Sequence, residues 1–134
     1  MSQERYPVLW IGQVAVVTLP AEIDVTIADA VREELASVLG QGATLLIADL
    51  SRTGFCDSAG VSALVGTYRR AGTSGSLMRL VVSTPAVHRV LSITGVDRLV
   101  SIFPSVAASL AGTPGPVSAD QAQPDGAAVT DGGA

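Results

Sequence analysis

The sequence predicts an α/β fold, in which a mixed, mostly parallel sheet of four to five strands packs with about four helices. Short aliphatic runs alternate along the chain with segments of helical periodicity, which favours parallel strands joined by right-handed crossovers. The run over residues 44–50 is almost continuously apolar, which is typical of a strand covered on both faces. Hydrophobic residues make up 48% of the chain and aromatic residues only 4%, so aliphatic side chains must form the core.

The first part of the chain predicts an N-terminal β-hairpin. Residues 8–11 and 14–19 are apolar and rich in β-branched side chains, which favours strands. Only Gly12-Gln13 separates the two runs, and a two-residue gap that contains glycine is typical of a hairpin turn. Pro20 is expected to end the second strand, because proline cannot donate to a sheet.

A helix with a single apolar stripe follows the loop over residues 21–25. Either Asp24 or Thr26 is placed to cap this helix, and Thr26 with Asp29 has the spacing of a capping box. The glycines at residues 40–42 are expected to end it. The residues that we expect to face the core are Ala28, Val31, Leu35, Val38 and Leu39.

A strand over residues 44–50 then leads through a turn at residues 51–54 to a second helix. Ser58 stands where helix N-caps stand, with Asp57 directly before it. The helix is expected to run over residues 58–71. Its apolar residues at helical spacing are Val61, Leu64, Val65 and Tyr68.

The remaining elements are predicted to be a strand, a helix, a strand and a short helix. Their expected ranges are residues 77–82, 85–94, 99–103 and 105–110. Thr84 and Pro85 occupy the N-cap and first positions of the third helix, and Gly95 is expected to end it. Its inward-facing residues are expected to be Val87, Val90, Leu91 and Thr94.

The composition changes at Gly112. Residues 112–134 include five glycines and three prolines but no leucine, isoleucine or aromatic residue. Such a segment buries too little apolar surface to offset the entropy of ordering it, so we expect a disordered tail after one domain over residues 1–111. The tail is acidic, whereas the domain has nine acidic and eight basic side chains and is nearly neutral.

Composition disfavours several classes of function. The sequence has no basic stripe for nucleic acid, no apolar run long enough to span a membrane and no signal-peptide pattern. The single cysteine excludes an internal disulfide and fits a reducing compartment, so we expect a cytoplasmic protein. Clustered metal ligands and a phosphate-binding glycine loop are both missing from the sequence, so no metal or cofactor is expected.

Catalysis finds little support in the sequence. The candidate nucleophiles are Cys56 and Ser58, and His88 is the only imidazole that could serve as their base. The residues around Ser58 lack the G-x-S-x-G pattern of hydrolases. We therefore expect no enzyme activity, and a small cysteine or serine hydrolase is the alternative from a different class.

The local pattern gives Ser58 two interpretations. A serine at a helix N-cap is a common structural device, and the local pattern by itself favours this role. The functional interpretation is a phosphorylation switch, because a phosphate there would lie at the positive end of the helix dipole. It would also lie beside Asp57, so it would change what binds while leaving the fold intact.

Three motifs stand in order along the chain: Leu19-Pro20-Ala21-Glu22-Ile23-Asp24, then Asp49-Leu50-Ser51 with Phe55-Cys56-Asp57-Ser58-Ala59-Gly60-Val61, and finally Ser83-Thr84-Pro85-Ala86-Val87-His88-Arg89-Val90-Leu91 with Thr94-Gly95. Together they resemble the STAS domains of bacterial anti-sigma factor antagonists. The resemblance covers about residues 8–110. It implies a STAS fold for the domain.

The resemblance also implies a binding function controlled by phosphorylation. The unphosphorylated chain would bind an anti-sigma factor that is itself a serine kinase, and this would free the sigma factor for transcription. Phosphorylation of Ser58 would abolish the binding and a PP2C-type phosphatase would restore it, with ATP held by the kinase. The partner-binding residues that the resemblance implies are Asp24, Thr26, Asp57, Ser58, Ala59, Gly60 and Ser62.

Two departures from the family pattern lie near the first motif. Ala21 stands where the family usually has glycine, and Ile27 replaces the customary threonine or serine near the start of the first helix. They bear on which kinase is recognised and leave the acceptor serine in place. The alternative among binding modules is a STAS subunit of another assembly, such as a stress-signalling complex or a lipid-transport system.

Overall fold

The computed structural model describes residues 6–112, so the predicted tail lies outside the described residues except for Gly112. Strands and helices follow one another in the order expected of an α/β fold. The elements are β1 (Val8–Ile11), β2 (Val14–Thr18), β3 (Glu22–Ile23), α1 (Ala28–Gly40), β4 (Leu45–Leu50), β5 (Phe55–Cys56), α2 (Ser58–Thr73), β6 (Leu77–Val82), α3 (Pro85–Ile93), a 3₁₀ turn (Val96–Arg98), β7 (Ser101–Phe103) and α4 (Val106–Ala111).

Five strands form the main sheet in the order β1-β2-β4-β6-β7. β1 runs antiparallel to β2 and the other neighbours are parallel, so the predicted mixed sheet with an N-terminal hairpin is confirmed. Gly12 has a φ of 60° in the hairpin turn, a conformation that glycine adopts without strain. Because parallel strands end at the same edge, the loops after β2, β4 and β6 lie side by side.

The central strand β4 is covered on both faces, as its apolar run predicts. Leu46 and Ala48 are fully buried in the main core with the apolar stripes of α1 and α2. Ile47 points to the opposite face, where it is fully buried with Val81 and packs near Val106 of α4. The side chains that the sequence places inside α1 are all buried, which confirms that stripe.

A second, two-stranded sheet, which the sequence did not predict, is formed by β3 and β5. β3 and β5 pair in parallel, with Glu22 beside Phe55 and Ile23 beside Cys56. Each strand is only two residues long, and so short a segment has no periodicity that a sequence could reveal. This pairing ties the loop after β2 to the loop after β4.

Two predictions near the end of the domain were wrong in detail. Thr94 is exposed instead of facing the core, because it follows the last residue of α3 and its hydroxyl donates to the Val90 carbonyl at 2.7 Å. The last strand begins at Ser101 and not at residue 99, because Gly95 has a φ of 84° and the chain then makes the 3₁₀ turn.

Two threonine hydroxyl groups join the three loops at the carboxyl edge of the sheet. Thr53 is fully buried after β4, and its Oγ1 donates to the Pro20 carbonyl at 2.7 Å. Thr84 is the N-cap residue of α3, as predicted, but its Oγ1 donates to the Thr53 carbonyl at 2.8 Å instead of capping the helix. The first bond joins residues 33 positions apart in the chain, and the second joins residues 31 positions apart. The loops that carry the three sequence motifs therefore lie together on one surface.

We expect Thr53→Val to lower the free energy of unfolding by about 1–3 kcal/mol, because the Pro20 carbonyl would lose its buried donor. Urea denaturation measures the change. Thr73→Val is the matched control, since Thr73 is exposed and bonds only to Arg69 of its own helix. Equal stability of the two variants would contradict a structural role for the Thr53 hydroxyl.

Candidate functional site

Backbone hydrogen bonds bring the loop after β2 to the start of α2. The Gly54 N–H donates to the Ala21 carbonyl at 2.8 Å, and the Asp57 N–H donates to the Ile23 carbonyl at 3.1 Å. These bonds extend the pairing of β3 with β5 at both ends. They hold residues 24–26 beside the first turn of α2.

Asp57 is the N-cap residue of α2, so the prediction that placed the cap at Ser58 was wrong by one residue. Asp57 Oδ1 accepts from the N–H groups of Ala59 at 2.9 Å and Gly60 at 3.1 Å. Its Oδ2 accepts from the Val25 N–H at 3.2 Å. One carboxylate therefore caps the helix and also holds a loop that lies 32 residues earlier in the chain.

Ser58 is the first residue of α2, and its side chain is exposed. Its hydroxyl forms no hydrogen bond with any residue in the range 6–112. The capping interpretation of Ser58 is therefore wrong, because Asp57 already satisfies the amides of the first turn. The hydroxyl is accessible to a group that approaches from solvent.

α2 approaches β3 and β5 closely at Gly60. A Cβ added there would lie 2.7 Å from Cys56 Sγ, 2.9 Å from Ile23 Cγ2 and 3.0 Å from the Ile23 carbonyl oxygen. Real Cβ atoms essentially never lie so close to other heavy atoms, so glycine is the residue that fits without a shift of its neighbours. The start of α2 and the preceding loop are thus held in contact by packing as well as by the Asp57 carboxylate.

Within residues 6–112, no hydrogen bond joins the candidate base to either candidate nucleophile. Burial, with a smaller effect of the charge of Asp57, raises the pKa of the Cys56 thiol to about 11, so Cys56 is protonated at neutral pH. Its Sγ donates to the Asp57 carbonyl at 3.7 Å. His88 is exposed, and within residues 6–112 no hydrogen bond joins it to Cys56 or Ser58.

The described residues also hold no group of three or more His, Cys, Asp or Glu side chains placed to bind a metal ion. In the same part of the chain, every helix is too short or too polar to cross a membrane.

Asp24 organises the turn before α1. Its Oδ1 accepts from the Thr26 N–H at 2.9 Å and from the Thr26 hydroxyl, and its carbonyl accepts from the Ala28 N–H at 2.9 Å. The hydrogen bonds from Thr26, first from its hydroxyl, hold the pKa of Asp24 below its ordinary value of 3.8. Neither side chain caps α1 as predicted, because the N-cap residue is Ile27, which has no side-chain donor or acceptor.

The predicted partner-binding residues differ in how far solvent reaches them. Thr26, Ser58 and Ser62 are exposed, Asp24, Asp57 and Ala59 are half-buried, and Gly60 is buried. The sequence analysis missed two apolar side chains at this surface, Val25 and Phe55, which are both exposed. The signal for Phe55 is its place directly before Cys56, whose side chain is buried, because consecutive residues of a strand point to opposite faces.

A family model, the STAS domain, matches residues 7–109. The chain belongs to the STAS domain family. This confirms the resemblance carried by the three sequence motifs, and the five-stranded mixed sheet with four helices confirms the predicted fold class.

Several relatives share this family. The anti-sigma-B factor antagonist of Bacillus subtilis strain 168 is 33% identical over 86 residues, which are 64% of this chain and 78% of the relative. The anti-sigma-F factor antagonist RsfB of Mycobacterium tuberculosis is 29% identical over 102 residues, which are 76% of this chain and 83% of the relative. A crystal structure of an anti-sigma factor antagonist from Mycobacterium paratuberculosis has a TM-score of 0.73 and 28% identity, over 79% of this chain and 90% of that one.

We expect Gly60→Ala to lower the free energy of unfolding by about 1–3 kcal/mol, because the new methyl group overpacks against Ile23 and Cys56. Gly66→Ala is the matched control in the same helix. The nearest atom to its added Cβ is 3.9 Å away, so it is expected to keep or raise stability, by up to about 1 kcal/mol. A gain of stability in both variants, measured by urea denaturation, would contradict the close approach at Gly60.

We expect Thr26→Val to raise the pKa of Asp24 part of the way towards 3.8, because the hydroxyl donor is lost while the amide donor stays. Because folding lowers the pKa of Asp24, the ionised carboxylate stabilises the folded state. This contribution to stability is present above pH 3.8 and is lost as the pH falls through the folded-state pKa. Carboxyl ¹³C NMR titration measures the pKa of Asp24. Ser62→Ala is the control, and an unchanged Asp24 titration in Thr26→Val would overturn the assignment.

Proposed function

We propose that this chain is an anti-sigma factor antagonist whose binding is switched by phosphorylation of Ser58. The unphosphorylated form binds an anti-sigma factor that is also a serine kinase, and the sigma factor is released. Phosphorylation ends the binding, and a PP2C-type phosphatase restores it. The names of the relatives support the antagonist function. The observation that carries the switch is the exposed hydroxyl of Ser58 at the start of α2, which forms no hydrogen bond within residues 6–112.

The position of Ser58 suits phosphoryl transfer. Its Oγ takes the γ-phosphoryl group of ATP held by the kinase, and ADP stays behind on the kinase. The hydroxyl is not part of the helix cap, so its modification breaks no hydrogen bond within the described residues. α2 is 16 residues long, and its positive N-terminal end favours a bound phosphate. The fold therefore tolerates the modification.

The same phosphate acts strongly on a bound partner. It adds nearly two negative charges next to the carboxylate of Asp57, which the helix cap and the Val25 amide hold in place. A partner that covers this surface would have to bury these charges without a counterion, which is costly. Val25 and Phe55 give the surface apolar area where a partner can anchor, and polar residues 24 and 26 border it.

Incubation with a cognate anti-sigma kinase and ATP is expected to phosphorylate the natural chain but not Ser58→Ala. Ser92→Ala is the control, because Ser92 is an exposed serine in α3 and is not among the predicted partner-binding residues. Its phosphorylation is expected to equal that of the natural chain. Intact-mass measurement counts the phosphates. Equal transfer to Ser58→Ala would exclude Ser58 as the acceptor.

A second arm of this experiment separates binding from folding. Ser58→Glu places a carboxylate at the acceptor position, and we expect it to weaken binding of the anti-sigma factor at least about tenfold. Its melting temperature is expected to stay close to that of the natural chain, because Ser58 is exposed and its hydroxyl is unbonded among the described residues. Calorimetry measures both quantities. Unchanged affinity would contradict the switch, even if phosphate transfer to Ser58 is observed.

A further inference from the structure

The outer edge of β1 is an unprotected sheet edge. β1 pairs with β2 on one side, and within residues 6–112 no strand pairs with its other side. Its residues Val8-Leu9-Trp10-Ile11 include no charge, no proline and no glycine. Natural proteins usually protect such edges with charged side chains, proline or a bulge, because free edges pair with other strands. β1 has none of these within its four residues.

The exposed side chains of β1 are also apolar. Leu9 is 57% exposed, Trp10 38% and Ile11 46%. In the register with β2, Leu9 lies opposite Val16 and Ile11 opposite Val14, so these two point to the face of the sheet that α4 covers only in part. Trp10 lies opposite Ala15 and points to the other face. Leu9 and Ile11 are therefore neighbouring exposed apolar side chains on one face, and Trp10 adds apolar surface on the other face of the same edge strand.

The backbone groups that β1 offers at this edge follow from its pairing with β2. The Thr18 N–H donates to the Pro7 carbonyl at 2.9 Å, so residue 7 directs its polar groups towards β2. Bonding alternates along an antiparallel pair, so residues 9 and 11 also face β2. Val8 and Trp10 therefore direct their N–H and C=O groups outwards. Proline has no N–H group, but at residue 7 this group would face β2. Pro7 therefore removes no donor from the open edge.

We propose that β1 pairs with β1 of a second copy of this chain, antiparallel and centred on Leu9. In that register Val8 of each copy exchanges two hydrogen bonds with Trp10 of the other copy. The four outward groups of each copy, which are the N–H and C=O of Val8 and of Trp10, are then all hydrogen-bonded. The two copies of Leu9 lie directly opposite each other across the two-fold axis. Each open edge is used once, so the assembly closes at two copies.

The charge of the domain and the place where the described chain ends favour a second copy as the occupant. The domain is nearly neutral and β1 is uncharged, so two copies approach without strong repulsion. The described chain ends beside Phe103 of β7, at the opposite edge of the sheet. Residues 113–134 offer no leucine, isoleucine or aromatic side chain and contain three prolines, so they suit this apolar edge poorly.

The exposed apolar area of β1 makes this dimer a weak one. Three partly exposed side chains supply on the order of 300 Å² per copy, well below the ~800 Å² per partner of a standard stable interface. We therefore expect the full chain to be monomeric at about 10 μM and to dimerise as its concentration reaches several hundred micromolar. Analytical ultracentrifugation should show the average mass rising from 13.6 kDa towards twice that value.

Trp10 gives an independent readout, because it is the only tryptophan in the chain and lies in β1. Pairing covers its ring with Val8 of the other copy, so its emission is expected to shift to shorter wavelength as the dimer forms. The shift should follow the same concentration dependence as the mass. A constant emission spectrum over a range in which the mass doubles would place the interface elsewhere and overturn the proposal.

A charge-complementation experiment tests the register. Leu9→Glu and Leu9→Lys are each expected to weaken dimerisation at least about tenfold, because like charges would face each other across the axis. An equimolar mixture of the two variants is expected to regain dimerisation, since the carboxylate of one then faces the ammonium group of the other. Ile93→Glu is the control: Ile93 is 75% exposed on α3, and its substitution is expected to leave dimerisation unchanged.

If the charged variants fail to fold, disulfide cross-linking tests the same pairing of β1 with β1. Leu9→Cys is expected to form a disulfide-linked dimer under mild oxidation, because the Cα atoms of opposed residues in a non-hydrogen-bonded antiparallel pair lie about 4.5 Å apart, which a disulfide can span. Ile93→Cys is expected to stay monomeric, and the natural Cys56 is buried and does not compete. The proposal would be overturned if the natural chain stays monomeric throughout the concentration range. It would also be overturned if the mixture of charged variants does not regain dimerisation, or if self-association is lost only on deletion of residues 113–134.

Discussion

The carboxylate of Asp57 is the interaction on which the candidate site depends. It accepts from two amides of the first turn of α2 and from the amide of Val25, so it joins a helix to a loop 32 residues away. Amides at the start of a helix have no partner within the helix, and a buried unpaired amide is costly. A single side chain therefore sets both the start of the helix and the position of the loop. The proposed acceptor serine is the very next residue.

This division of roles frees Ser58. If the serine hydroxyl capped the helix, its modification would break a hydrogen bond that stabilises α2, and a switch would cost stability. Asp57 takes that role instead, and the close approach at Gly60 adds a steric constraint on the same turn. The turn that presents Ser58 is thus fixed independently of the serine side chain. In the proposed switch, new charge at that position would act on a partner and not on the fold.

The two surfaces proposed for interaction lie on different elements. The candidate phosphorylation site is built from the loops at the carboxyl edge of the sheet, which buried Thr53 joins through the Pro20 and Thr84 hydrogen bonds. The proposed self-association surface is the outer edge of β1, where apolar side chains are exposed and no strand within residues 6–112 pairs with the backbone. The first surface is polar with two apolar residues, and the second is uncharged. These differences in chemistry fit different partners.

The sequence by itself determined the order of the main strands and helices, the buried stripe of α1, and the family of the chain. These follow from local periodicity and from the motif residues, such as Asp57-Ser58 after the continuous apolar strand β4. The tertiary structure decided which of these two adjacent residues caps α2, because both are good N-caps and the choice depends on the amide of Val25. It also decided the two-residue strands β3 and β5 and the exposure of Leu9 and Phe55. Pairing partners and open edges arise from segments distant in sequence, and no local pattern encodes them.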